Sequence, residues 1–172
     1  MKIKFVLLIL SFCFVNSVYA DFNDGTLAFN NGDYPAAYKE WLPLAKQGHD
    51  GAQTSLGWMY ENGKGVVKNN KKAVNWYTKA AEQGHIGAQN NLGVIYFYGD
   101  SATQDYKKAF SWLNKAAEQG YTEAQYYVGL MYAEGRGTLK SLKEASYWIK
   151  LAYDNNNPYA EEVWNNYELW KY

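Results

Sequence analysis

The chain has two histidines, His49 and His85, and they stand 36 residues apart. Imidazole is the side chain best suited to proton transfer near neutral pH and to zinc ligation. Each histidine follows a glycine, Gly48 or Gly84, and neither has a cysteine or a second histidine beside it. Tyr121 and Asn157 take the same place one period later. Equivalent loops of neighbouring helix pairs lie roughly 10 Å or more apart, too far for one ion to bridge. Both histidines are therefore expected to be plain loop residues. Glu82 and Glu118 also recur at one period and are expected to be solvated positions near a helix end. The pairs Gly63-Lys-Gly65 and Gly135-Arg-Gly137 have no strand pattern before them, so they do not form a phosphate loop. No serine sits in a nucleophile elbow. Catalytic residues, a metal site and a cofactor are not expected.

What repeats is the framework around these residues. Trp76 to Gly84 reads Trp-Tyr-Thr-Lys-Ala-Ala-Glu-Gln-Gly, and Trp112 to Gly120 reads Trp-Leu-Asn-Lys-Ala-Ala-Glu-Gln-Gly. The same period of 36 relates Ala52, Ala88, Ala124 and Ala160, then Gly57, Gly93 and Gly129, then Tyr60, Tyr96 and Tyr132, then Ala73, Ala109 and Ala145. A fixed period of this size is the sequence sign of stacked supersecondary units.

Residues 1–20 stand outside this pattern. Lys2 and Lys4 precede the apolar run Phe5 to Val15, and Val18-Tyr19-Ala20 places small residues where a signal peptidase reads. A secretory leader cleaved after Ala20 is expected. The run is shorter than the ~20 residues of a membrane span, and Phe12 before Cys13 is too bulky for a lipoprotein motif. The mature chain would keep 15 positive against 17 negative charges and no cysteine. It would lack disulfides, and its charge gives no reason to expect nucleic acid. Its length suits a single domain, residues 21–172.

Each full block reads as two helices. Ala52, Leu56 and Tyr60 mark the stripe of a first helix from about Gly51 to Asn62. The connection around Gly63 and Gly65 follows, then a second helix from about Asn70 to Gln83 with Ala73, Trp76, Tyr77 and Ala80 buried. Gly57 lets a neighbouring helix approach closely. Trp76 is expected to fill the wedge between pairs. The third block lacks the second glycine in Gly99 to Gln104, so a different loop is expected there. Residues 21–50 form a shortened first unit, with its second helix starting near Pro35. Full blocks occupy 51–86, 87–122 and 123–158. Residues 159–172 hold a capping helix, Tyr159 to about Leu169, with Ala160, Trp164 and Tyr167 on its stripe.

The pattern Ala52, Leu56-Gly57, Tyr60, Gly63, Gly65-Val66, Lys71, Ala73, Trp76-Tyr77 and Lys79 to Gly84 closely resembles the Sel1-like repeat. Residues 21–48 resemble a tetratricopeptide unit. The resemblance implies an all-α, right-handed α/α superhelical solenoid of about four helix-turn-helix repeats, with first helices on the concave side. It implies a non-catalytic scaffold for protein partners. Exported bacterial members look like partner-binding proteins in envelope biology, host contact or immunity against secreted toxins. The β-lactam-binding subgroup is cysteine-rich, unlike this chain, so an enzyme acting on cell-wall or β-lactam substrates is a remote alternative.

Carried onto this sequence, the family's ligand-facing positions are Thr54, Trp58, Glu61 and Asn62, then Asn90, Val94, Phe97 and Tyr98, then Tyr126, Leu130, Ala133 and Glu134, with Tyr127 beside them. Aromatic residues make up 18% of the chain, and large rings are the residue type that binding hot spots favour. The expected partner is another protein: an effector enzyme such as a lipase, a cell-wall enzyme or a host protein. The expected place is the periplasm or outside the cell, and the terminal caps predict a monomer.

Overall fold

The computed structural model describes residues 22–172. The expected leader, its cleavage point and Asp21 lie outside them. The described residues are all-helical and contain no strand. Residues 22–30 form α1. Then come α2 (Tyr34–Lys46), α3 (Asp50–Asn62), α4 (Asn70–Glu82), α5 (Ile86–Tyr98), α6 (Tyr106–Glu118), α7 (Thr122–Glu134), α8 (Leu142–Asp154) and α9 (Ala160–Asn166). A short 3-10 turn, Leu169–Lys171, ends the chain. Consecutive helices pack as pairs, which is the solenoid class expected from the repeat.

The chain forms two compact units, one through Trp76 and one from Tyr77 onward. In the first, α2 packs on α3 around Ala37, Trp41, Leu44, Ala52, Leu56 and Met59. The Trp41 indole lies over Gly25, where a methyl group would come within 2.4 Å of Nε1. In the second unit α5, α6, α7, α8 and α9 pack each on the next.

The tightest packing in the second unit is at glycine. A methyl group on Gly93 would lie 2.5 Å from Leu113 Cγ, and one on Gly129 would lie 2.6 Å from Ile149 Cγ1. Each second helix thus drops a branched side chain into a notch of the first helix. This corrects the expectation for the periodic tryptophans. Tyr77, Leu113 and Ile149 are fully buried, whereas Trp76, Trp112 and Trp148 are only half-buried. The notch selects the residue one place further along, and the indole is left half-buried beside it, with Trp76 and Trp148 still packed against the core. Lys115 Nζ stands 4.3 Å over the Trp112 ring.

Helix ends follow from local chemistry. The first helices α3, α5 and α7 stop at Gly63, Gly99 and Gly135, all left-handed. In two blocks the next glycine is required as well. A methyl group on Gly137 would sit 2.0 Å from the Tyr106 carbonyl oxygen, and one on Gly65 2.7 Å from that of Tyr34. The third block lacks this glycine, and there the Gln104 side chain donates to the Phe97 carbonyl at 2.9 Å. Second helices end at positions equivalent to Gly84 and Gly120, and the last such position is Asn156 at φ 62°. Asparagine is the side chain that best tolerates this conformation.

The histidines are not plain loop residues. His49 Nδ1 accepts the Ala52 amide and His85 Nδ1 accepts the Ala88 amide, both at 3.2 Å. Each imidazole is a helix N-cap that fills an orphan donor of the first turn. Tyr121 supplies no such bond. The glutamines Gln53, Gln89 and Gln125, one period apart, are buried, and each donates to a carbonyl eight residues earlier. Gln119 then donates to Gln89 Oε1 at 2.7 Å, and Asn155 to Gln125 Oε1 at 3.2 Å. Gln119 and Asn155 thereby tie the second helix of a pair to its first, and the buried glutamine ties that pair to the preceding one.

The capping helix is shorter than expected, ending at Asn166, and it buries Ala160 and Val163, with Leu169 of the 3-10 turn beside them. Trp164 and Tyr167 are half-buried. The apolar contacts continue past the helix end, so the sequence stripe overran it.

Leu113→Ala should cost about 2–5 kcal/mol, and Trp112→Ala clearly less. Gly93→Ala should cost about 1–3 kcal/mol by overpacking. The Gly93→Ala/Leu113→Ala double variant should cost less than the two singles together, because the new methyl enters the vacated space. Urea unfolding followed by helical circular dichroism measures all four, and a Trp112 effect above that of Leu113 would refute the notch. His85→Ala should lose about 1 kcal/mol in the same assay, with His85→Asn close to the parent.

Candidate aromatic binding face

In the first unit the expected positions are largely engaged. Thr54 Oγ1 donates to the Asp50 carbonyl at 2.9 Å. Trp58 is half-buried and meets Phe29 of α1 edge-on, with ring centroids 5.1 Å apart. Glu61 is half-buried, and Asn62 is exposed, with its amide donating to the Trp58 carbonyl.

In the second unit the expected residues converge. Phe97, Tyr98, Tyr126 and Tyr127 form one connected set of rings. Phe97 meets Tyr98 at 5.1 Å and Tyr127 at 5.3 Å, and Tyr127 meets Tyr126 at 5.3 Å. The Tyr98 and Tyr127 hydroxyls are 3.2 Å apart. Two residues outside the expected set join them. Tyr106 at the start of α6 packs on Phe97 at 5.5 Å, and Tyr159 before α9 packs on Tyr126 at 5.9 Å. Tyr159 breaks the repeat register, so periodicity gave no signal for it; its position beside the last helix does.

Burial sorts this set. Phe97 is 5% exposed, Tyr127 9% and Asn90 2%, so these three support the face from inside and offer little to a partner. Ala133 is wholly buried. Val94 and Leu130 are half-buried. The rings that reach solvent are Tyr98, at 53%, Tyr159, at 61%, and the half-buried Tyr126. Offset and edge-on ring contacts of this kind hold aromatic side chains in fixed orientations.

The polar groups are few. Asn90 Nδ2 donates to Glu123 Oε2 at 3.0 Å, and Asn90 Oδ1 has no hydrogen-bond partner. Glu134 accepts the Tyr167 hydroxyl at 3.3 Å and pairs with Arg136 Nε at 2.7 Å. The Arg136 guanidinium in turn lies 5.7 Å over Phe97 and 5.4 Å over Tyr106. Burial pushes the Tyr127 hydroxyl well above the usual tyrosine range, helped by its bond to Tyr98 and by the charge of Glu123. Tyr126 is raised too, first by burial and then by Tyr98, Glu162 and Glu134. Both hydroxyls stay neutral at physiological pH. They can donate and accept hydrogen bonds but are unsuited to act as bases.

Among the described residues no three His, Cys, Asp or Glu side chains converge as a metal site. No described helix is long and apolar enough to cross a membrane. A cavity of about 260 Å³ is lined by Lys150, Tyr153, Asp154, Glu161, Trp164 and Asn165. Its lysine is held by Asp154 at 2.9 Å.

The family model described as "Sel1 repeat" matches residues 51–85, 86–121 and 122–157. The chain belongs to the Sel1 repeat family. Sel1 repeats mediate protein–protein interaction, and the family is generally a non-enzymatic scaffold. Among solved structures the chain is similar to c5321, a protective antigen of uropathogenic Escherichia coli with an SLR fold. Identity is 33% and the TM-score 0.79, over 83% of this chain and 32% of that one. It is also similar to a Sel1 repeat protein of Oxalobacter formigenes, at 35% identity and a TM-score of 0.77, over 81% and 57% of the two chains. The chain thus spans about a third of the first and somewhat over half of the second. The Helicobacter pylori cysteine-rich protein B shares the fold at 20% identity and a TM-score of 0.56, over 75% of this chain and 96% of that one. No curated protein matches the chain.

The raised tyrosines make an alkaline prediction. A phenol whose folded pKa exceeds its unfolded value of about 10 contributes stability that is complete below pH ~10 and is lost as pH rises through the folded value. Ultraviolet titration of tyrosinate should show a late-ionising group that disappears in Tyr127→Phe. An unchanged titration curve in that variant would count against the buried hydroxyl pair.

Proposed function

We propose that this chain is a non-catalytic, exported binding protein. It takes a protein partner on the face made by α5, α7 and the segment entering α9. The observation that carries this reading is the sorting of the rings. Phe97 and Tyr127 are buried and immobilise Tyr98 and Tyr126, and Tyr159 completes an exposed aromatic face. Rings presented on a rigid base lose little conformational freedom on binding, and this favours affinity. The family's role in protein interaction supports the same reading. The leader-like start, Lys2 to Ala20, supports export to the periplasm or beyond.

The sharper form is an immunity or inhibitor protein that covers a secreted, envelope-attacking enzyme such as a lipase. A scaffold without its own chemistry would act there by occlusion. A second reading, a virulence or host-contact factor, is favoured by the likeness to a protective antigen of a uropathogen. A role in envelope homeostasis through cell-wall enzymes uses the same face.

The test is an affinity capture from envelope extract with three proteins of equal helicity: the parent, Tyr98→Ala/Tyr126→Ala, and Tyr147→Ala on α8. Tyr147 is also exposed and controls for general stickiness. A partner retained by the parent and the Tyr147 variant and lost with the double variant supports the face. Its identity as toxin, cell-wall enzyme or host protein separates the readings. A partner indifferent to the double change would refute the face.

A further inference from the structure

Charge in the second unit is divided by helix type. The first helix α5 has no charged residue, α7 carries Glu123 and Glu134, and α9 carries Glu161 and Glu162; none of the three has a lysine or arginine. The lysines are on the second helices, α6 with a net positive charge and α8 in balance. α6 carries Lys107, Lys108 and Lys115 against Glu118, and α8 carries Lys143 and Lys150 against Glu144 and Asp154. In the first unit α3 obeys the same rule, with Asp50 and Glu61 and no basic residue.

The chain also shows how it satisfies rings with cations, and where it does not. Lys108 of α6 lies 5.2 Å over Tyr96, and Arg136 covers Phe97 and Tyr106. Arg136 also neutralises Glu134. Among the described residues no lysine or arginine lies over Tyr98, Tyr126 or Tyr159, and none pairs with Glu123 or Glu162. Both carboxylates are exposed. Glu123 stands one turn before Tyr126 and Tyr127 on α7 and accepts from Asn90 of α5, and Glu162 stands one turn after Tyr159; their charges help to raise the Tyr127 and Tyr126 hydroxyls respectively. The exposed rings therefore stand beside carboxylates that have no ion-pair partner, while the nearby Arg136 is already engaged by Glu134, Phe97 and Tyr106. Ring faces and carboxylates both attract cations, and a guanidinium or ammonium group over a tyrosine ring gains from each. An anionic or purely aliphatic occupant gains from neither.

We propose that the α5–α7–α9 face binds a lysine- and arginine-rich segment of its protein partner. The cationic side chains stack on Tyr98, Tyr126 and Tyr159 within reach of Glu123 and Glu162. This rests on the preceding assignment of the face as the binding surface and adds the chemistry of its occupant. Charge attraction of this kind steers encounter and is weakened by salt.

The test uses the purified protein and three synthetic peptides of one length: one rich in Arg and Lys, one with glutamate in their place, and one of Ser and Gly. Binding is measured by calorimetry at low and high salt. The basic peptide is expected to bind, with Kd weakened about tenfold or more between ~0.05 and ~0.5 M salt. The acidic and neutral peptides are expected not to bind. Glu123→Gln/Glu162→Gln keeps the acceptor for Asn90 and alters only surface groups, so it should fold. It is expected to weaken the basic peptide about three- to tenfold, with Glu144→Gln on α8 unchanged. Tyr98→Ala/Tyr126→Ala, checked for parental helicity, is expected to lose binding. Preference for the acidic or neutral peptide, or no effect of the glutamate pair, overturns the cationic occupant and leaves the face standing if the envelope partner still depends on Tyr98 and Tyr126. Basic-peptide binding that survives loss of both tyrosines overturns the occupant and the face together.

Discussion

Leu113 sits against Gly93, and Ile149 against Gly129, at distances no side chain could share. That close approach is the constraint on which the second unit depends. It fixes how deeply a second helix settles onto a first. It also fixes which residue of each second helix points inward, and with it the direction of every other side chain on that helix. The tryptophans follow from this. Once the neighbouring position fills the notch, the indole is left half-buried beside it, and at Trp112 the Lys115 side chain closes over the ring. Small residues at one place therefore determine the fate of the largest residues at another.

Polar order is built on the same spacing. Gln89 and Gln125 are buried where helices meet. Each spends its amide on a carbonyl of the preceding second helix and offers its oxygen to Gln119 or Asn155. A buried amide left without partners would cost stability, so these bonds act as a register check between pairs. The imidazole caps of His49 and His85 perform a related task at the helix entry. Imidazoles that the sequence assigns to plain loops are used here to satisfy backbone donors.

The aromatic face grows out of this frame. First helices meet their neighbours through small residues and notches, which leaves their other side to carry what the repeat does not prescribe. In the second unit that side holds Tyr98 and Tyr126 over a buried base of Phe97 and Tyr127, while the lysines of α5 to α9 are on α6 and α8 and Arg136 of the following loop is held by Glu134. The framework positions are periodic and the face is not. An array of this kind can thus change its partner without changing its packing.

The sequence by itself determined the helix pairs, the period, the glycine stops and the family, because all of these depend on local spacing that recurs. It also pointed to Tyr98, Tyr126 and Tyr127 as residues of one surface. The sequence could not tell which rings reach solvent. Phe97 and Tyr98 are adjacent, yet one is buried and the other exposed, and that follows from where α6 and α7 lie against them. It could not assign the tryptophans, because the stripe of an amphipathic helix tolerates a shift of one residue until a notch in the neighbour selects between the two. Nor could it find Tyr159 or the glutamine bonds, whose partners stand far along the chain. Those distances close only when the pairs stack, so the tertiary structure alone decided them.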